Sequence, residues 1–162
     1  VHAIANPLIN ITLQGRQDTY PKRRGMTRVP ELMAAGVNVA FGQDCVMDPW
    51  YALGSGDMLE VAAMGLHVGQ MTSVDAMRAC FAAVTANPAR ILGLDGYGIA
   101  RGCRADFVLL QAHDPVEAIR LRATRLKVFR AGQVIAETPA ATAALHLDGR
   151  PKSVDWTVRS SV

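Results

Sequence analysis

The stretch Asn38-Val-Ala-Phe-Gly-Gln-Asp-Cys-Val-Met-Asp-Pro-Trp50 constrains the fold more than any other part of the chain. Val37 to Phe41 is a short apolar run bounded by Gly36 and Gly42, the pattern of a buried strand. Asp44 follows where that strand should end, and a loop carrying Asp48, Pro49 and Trp50 comes next. Carboxylates at the C-terminal ends of strands are where barrel enzymes keep their chemistry. A carboxylate drawn out of water also needs a metal, a base or a hydrogen-bond donor. Asp44 is therefore the first candidate for a metal ligand or proton acceptor. The competing reading is an ordinary strand-end aspartate that caps a turn or helix.

The 162 residues suffice for one domain with a sizeable core, and 50% hydrophobic against 19% charged residues describes a globular chain. The net charge of +3 is mild, and its only cluster is Lys22-Arg-Arg24, which reads as a solvated face. No basic stripe interleaved with aromatics points to nucleic acid, and no apolar run reaches the length of a membrane span. The chain begins with Val1 inside an apolar run and has no signal-peptide pattern, so an N-terminal portion is expected to be missing. Three cysteines without a CxxC pair argue against a disulfide framework or zinc knuckle and for a reducing, cytoplasmic location.

In chain order, Val1 to Ala5 reads as a strand ended by Asn6-Pro7. Leu8 to Arg28 shows no period and reads as a long loop of the binding or lid kind. Thr27 to Ala35 reads as a short helix with Thr27 as N-cap, closed by Gly36. Strand, loop, helix and strand make a βαβ unit with parallel strands. Helices are expected over Asp57–Met71, where His67 reads as a packed or partner-bonded histidine, and over Val74–Val84 after Ser73. A further helix starts from Asn87 as N-cap with Pro88 at its first position. Gly93, Gly96, Gly98 and Gly102 then mark a boundary, dividing the chain into an α/β part (1–94) and a small β part (95–162). In the second part, Ala105 to Leu110 is strand-like, Asp114 to Leu121 is a short helix or turn, and Leu126 to Ala136 is a hairpin turning at Ala131-Gly132. Arg150 to Val162 reads as a polar tail.

Several of these segments together resemble bacterial cytosine deaminases of the amidohydrolase superfamily. They are Ala5-Asn-Pro-Leu-Ile-Asn10, Leu13-Gln-Gly-Arg16, Asp18-Thr-Tyr-Pro-Lys-Arg-Arg-Gly25, Phe41-Gly-Gln-Asp44, Asp48-Pro-Trp-Tyr51 and Met64-Gly-Leu-His-Val68. Ala105-Asp-Phe-Val-Leu-Leu110 and Val128-Phe-Arg-Ala-Gly-Gln-Val-Ile135 resemble the β-sandwich cap of amidohydrolases in general. The resemblance implies an α/β fold: the C-terminal part of a (β/α)8 TIM-like metal-dependent hydrolase barrel, supplying strands seven and eight, and the C-terminal share of a small β-sandwich. A whole barrel takes about 250 residues, so this chain would hold roughly a quarter to a third of one.

It also implies one divalent metal, iron or zinc, bound in the relatives by an HxH pair, a further histidine and an aspartate ending strand eight. Asp44 matches that aspartate, as ligand and as acceptor of the proton from water activated there. A glutamate and a histidine that move protons in the relatives have no counterpart here, and none of the four histidines falls at a ligand position. Trp50 matches a tryptophan that lines the substrate pocket, where a flat ring suits a flat pyrimidine. Cys45 stands where these enzymes usually carry a second aspartate, replacing a charged pocket group by a small, weakly polar one. The implied activity is hydrolytic deamination of cytosine or a related ring: isocytosine, a modified cytosine or another cyclic amidine. The implied partner is a small pyrimidine-like molecule, and the implied full-length protein is a homo-oligomer. The alternative is a non-catalytic or incomplete amidohydrolase-like subunit. A nucleotide-binding domain is disfavoured because neither G-x-G-x-x-G nor a Walker motif follows either strand.

Overall fold

The computed structural model describes residues 1–154; the last eight residues of the expected polar tail lie outside the described residues. The chain is mixed α/β and divides into two compact units, Val1–Leu94 and Asp95–Val162.

In the first unit, β1 (His2–Ala5) and β2 (Asn38–Phe41) pair in parallel, with His2 opposite Asn38 and Ala5 opposite Phe41. Parallel strands require a crossover, and α1 (Pro7–Leu13) and α2 (Val29–Ala34) lie within it. Three helices follow: α3 (Met58–Val68), α4 (Val74–Ala83) and α5 (Ala86–Ile91). The core is built from Ala5, Val39, Ala40 and Phe41 on the strands and Leu59, Val61, Ala62, Leu66, Cys80 and Ala83 on the helices. β2 is buried over its last three residues, as a strand covered on both faces should be. Gly65 is where α3 comes closest to it: a Cβ there would sit 2.5 Å from the Phe41 ring. Asp57 and Ser73 cap α3 and α4, accepting from Leu59 N at 2.7 Å and Ala76 N at 3.2 Å.

Three local expectations are corrected. Leu8 to Arg28 is not a loop throughout, because α1 occupies its first residues. Pro-Leu-Ile-Asn-Ile-Thr-Leu spans only two turns and is apolar nearly all round, so no helical period can emerge from it. Thr27 does not cap α2: the helix begins at Val29 with Arg28 as N-cap and no side-chain cap bond. Asn87 does not cap α5, which starts at Ala86 after Thr85. Its amide instead donates to the Val39 carbonyl at 2.8 Å, a cross-element bond that outcompetes the local cap. The Lys22-Arg-Arg24 cluster is exposed, with Arg23 paired to Asp18 at 2.6 Å.

The second unit holds an antiparallel sheet in the order β3 (Phe107–Leu110), β4 (Arg125–Arg130), β5 (Gln133–Glu137). The β4–β5 hairpin turns through Ala131 (φ 50°) and Gly132 (φ 77°), the paired left-handed conformation that matches strand twist in two-residue hairpins. α6 (Pro115–Leu121) lies between β3 and β4 and is capped by Asp114, which accepts from Glu117 N at 2.8 Å. β6 (Ala143–Ala144) and β7 (Ser153–Val154) make a further short antiparallel pair. Phe107 and Phe129 stack at 4.4 Å, while Val108, Leu109, Val134 and Ile135 remain exposed.

Candidate active site

Because β1 and β2 run in the same direction, the residues that follow each of them emerge at one end of the sheet. Gly42 N donates to Ala5 O at 2.9 Å and carries the ladder one step past β2. Asn6 and Asp44 then meet: Asn6 Nδ2 donates to Asp44 Oδ2 at 3.1 Å. Asn6 stands at the N-cap of α1 but makes no side-chain cap bond. Gly42 keeps this approach open, since a Cβ there would fall on Asn6 Oδ1. Sequence reasoning placed Asn6 only as a strand end. The available signal was topological: in a parallel pair, the first polar residue after each strand faces the same space.

Asp44 adopts φ 66°, a left-handed conformation that aspartate tolerates better than most residues. Its other oxygen, Oδ1, takes a weak bond from Cys45 Sγ at 3.5 Å. A carboxylate has about four acceptor positions, so two such bonds leave room for a cation and a proton. The Cys45 thiol is pushed up to about 11, chiefly by its hydrogen bond to Asp48, with burial and Asp44 adding to the effect. That direction disfavours the thiolate on which a reactive cysteine depends.

Asp48 is the hinge of the following loop. Its Oδ1 accepts from Trp50 N and Tyr51 N, both at 2.9 Å. The loop is closed further by Asp48 N to Tyr51 O at 3.1 Å and Met47 N to Leu53 O at 2.9 Å. These bonds, with the Cys45 thiol, hold the Asp48 carboxyl below its ordinary value, the Tyr51 backbone bond contributing most. Tyr51 is buried and roots the loop, whereas Trp50 is 74% exposed. The Gln43 amide, between β2 and Asp44, is buried with no hydrogen-bond partner among the described residues. Gly54 makes room for it, since a Cβ there would lie 2.7 Å from Gln43 Nε2.

The structure thus joins Asp44 to Asn6 and Cys45, and Asp48 to the backbone of Trp50 and Tyr51. His2 and His67 have other partners. His2 Nδ1 accepts from Asn38 Nδ2 at 3.1 Å, and His67 Nδ1 donates to Ala63 O at 2.6 Å. Among the described residues no three His, Cys, Asp or Glu side chains are grouped to hold a metal ion. The donor chemistry of Asp44, one open carboxylate, fits a single place in a metal's ligand set. No helix among the described residues is long and apolar enough to cross a membrane.

With a carboxylate at the C-terminal end of a parallel pair and a family model matching residues 1–137, the chain belongs to the amidohydrolase family. Among solved structures it is similar to 5-methylcytosine deaminase from Klebsiella pneumoniae liganded with 5-fluorocytosine. The TM-score is 0.85 at 43% identity, over 90% of this chain and 35% of that one. Among curated proteins it is 37% identical over 140 residues to pterin deaminase of Rhizobium rhizogenes (strain K84), covering 83% of this chain and 31% of that protein. It is 32% identical over 108 residues to N-isopropylammelide isopropyl amidohydrolase of Pseudomonas sp. (strain ADP), covering 66% and 27%. The chain therefore spans about a third of the length of the relatives it matches.

Proposed function

We propose that this chain is the C-terminal portion of a metal-dependent amidohydrolase that hydrolytically deaminates a cytosine-like ring. β1 and β2 correspond in this reading to strands seven and eight of a (β/α)8 barrel, and residues 95–162 to one share of a β-sandwich. The observation that carries it is the meeting of Asn6 and Asp44 at the C-terminal end of the parallel pair. A bound divalent ion, iron or zinc, would lower the pKa of water enough to make it a nucleophile near neutral pH. Asp44 would hold that ion through the carboxylate positions left open by Asn6 and Cys45, and would take a proton at its free lone pairs. Asn6 fixes the rotation of the carboxylate, as the hydrogen-bonded supports of metal ligands do. Trp50 supplies a flat apolar wall for the ring.

Cys45 bears on which ring. It places a small neutral thiol beside Asp44, and such a wall suits an apolar ring substituent better than a carboxylate would. The favoured substrate is therefore cytosine with a 5-methyl group, in line with the similarity to 5-methylcytosine deaminase. Ammonia release from 5-methylcytosine and cytosine by the full-length protein tests this. 5-Methylcytosine is expected to be preferred, and Cys45→Asp is expected to shift the ratio of kcat/KM values toward cytosine by about tenfold or more. An unchanged ratio would remove Cys45 from the specificity account. Absence of release from either ring would discard the cytosine-like substrate.

A further inference from the structure

Trp50 presents a ring that its own loop does not pack. Its side chain lies open while its neighbour Tyr51 is buried, so the place of the indole is set by backbone rather than by side-chain contacts. That backbone is held by one carboxylate oxygen, Asp48 Oδ1, which accepts from both Trp50 N and Tyr51 N. The adjacent bonds Asp48 N to Tyr51 O and Met47 N to Leu53 O close the turn around the same residue. One side chain therefore ties the exposed Trp50 to the buried Tyr51 beside it.

We infer that Asp48 is a positioning residue of the substrate site: it fixes where Trp50 meets the ring by accepting two backbone amides, without itself touching substrate. The inference rests on the deaminase reading for its kinetic consequences, but not for its structural one. Geometry rather than charge is the active property. An asparagine presents the same acceptor oxygen at the same distance along the side chain. A glutamate keeps the charge but displaces the oxygen by one methylene and cannot close the same turn.

The test uses the full-length, metal-loaded protein with Asp48→Ala, Asp48→Glu and Asp48→Asn. Loss of a fixed aromatic wall weakens ground-state and transition-state binding alike, so KM should rise with kcat nearly unchanged. Asp48→Ala and Asp48→Glu are expected to raise KM about tenfold, the size of one aromatic stacking contact, while Asp48→Asn stays within about threefold of wild type. In a Trp50→Ala background, Asp48→Ala should add little further loss, because both changes remove the same contact. Amide exchange of the segment spanning residues 47–53 should accelerate in Asp48→Ala and Asp48→Glu, with exchange elsewhere unmoved. Should the alanine variant not fold, the Asn and Glu pair decides the matter. Equal KM for Asp48→Asn and Asp48→Glu, or multiplicative losses in the double variant, would overturn the inference. If wild-type protein releases no ammonia from either ring, the deaminase reading fails on its own, and the exchange measurement still decides whether Asp48 fixes the loop. Faster exchange confined to residues 47–53 would uphold that role, and unchanged exchange would end it.

Discussion

At the N-terminal end of the β1–β2 pair, Asn87 Nδ2 donates to the Val39 carbonyl, and Asn38 Nδ2 donates to both the Asn87 carbonyl and His2 Nδ1. At the C-terminal end, Asn6 Nδ2 donates to the Asp44 carboxylate, whose second oxygen receives only a weak thiol bond. Both ends use asparagine amides, but the first set directs them to strand and helix backbone and to the His2 imidazole, and the second to one exposed carboxylate. The first end ties α5 to β2. The second holds a charge in place while leaving it available. On the proposed function, the difference separates stability from chemistry along a strand of four residues. It also gives physical content to the rule that barrel enzymes react at the C-terminal ends of their strands.

That contrast is broken most directly by exchanging the consequences of its parts. Asp44→Ala in the full-length protein is expected to lower deamination by more than about a thousandfold, since the metal's activation of water depends on its ligands. The thermal unfolding midpoint of the metal-free protein should stay close to wild type. A variant that instead unfolds readily would make Asp44 a structural cap. Asn6→Ala should cost about ten- to a hundredfold in kcat/KM or metal affinity, the range for groups that orient a ligand from behind. Its stability should barely move, and normal kinetics would show that the Asn6–Asp44 bond is incidental.

The opposite end should behave in reverse. Asn87→Ala leaves the Val39 carbonyl without its side-chain donor inside the core, at a cost of about 1–3 kcal/mol in denaturant unfolding. The kcat of the folded fraction should be unchanged, and a fall in kcat with normal stability would erase the distinction between the ends. The smallest effect belongs to the α1–α2 connection, where Arg23 holds the Asp18 carboxyl down at about 2. The folded value lies below the unfolded value, so this ion pair favours the folded state above pH 4 or so and loses that contribution as pH falls through about 2. Arg23 is exposed and the pair lies at the surface, so Asp18→Asn should leave stability at neutral pH almost unmoved.

Much of this was legible in the sequence because it rests on local chemistry. The apolar run before Gly42 marks β2, Asp57 and Ser73 mark helix starts with their own side chains, and Ala131-Gly132 marks the hairpin turn. Asp44 was legible for the same reason, as a carboxylate placed just after a buried strand. What escaped depends on partners distant in sequence. Asn87 looks like a helix cap until β2 offers it a carbonyl, and Asn6 looks like a strand end until Asp44 takes its amide. The helix α1 escaped because two turns that are apolar nearly all round carry no period. The bonds from Asp48 to Trp50 and Tyr51 are local, but a sequence shows only that a turn is possible there, not which oxygen closes it.

The most direct measurement is the divalent metal content of purified full-length protein and of its Asp44→Ala variant, taken beside ammonia release from 5-methylcytosine. One iron or zinc ion per wild-type chain is expected, with ion and activity both lost in the folded variant. Full metal occupancy and undiminished ammonia release in Asp44→Ala would contradict the assignment of this strand end as a metal-dependent deaminase site.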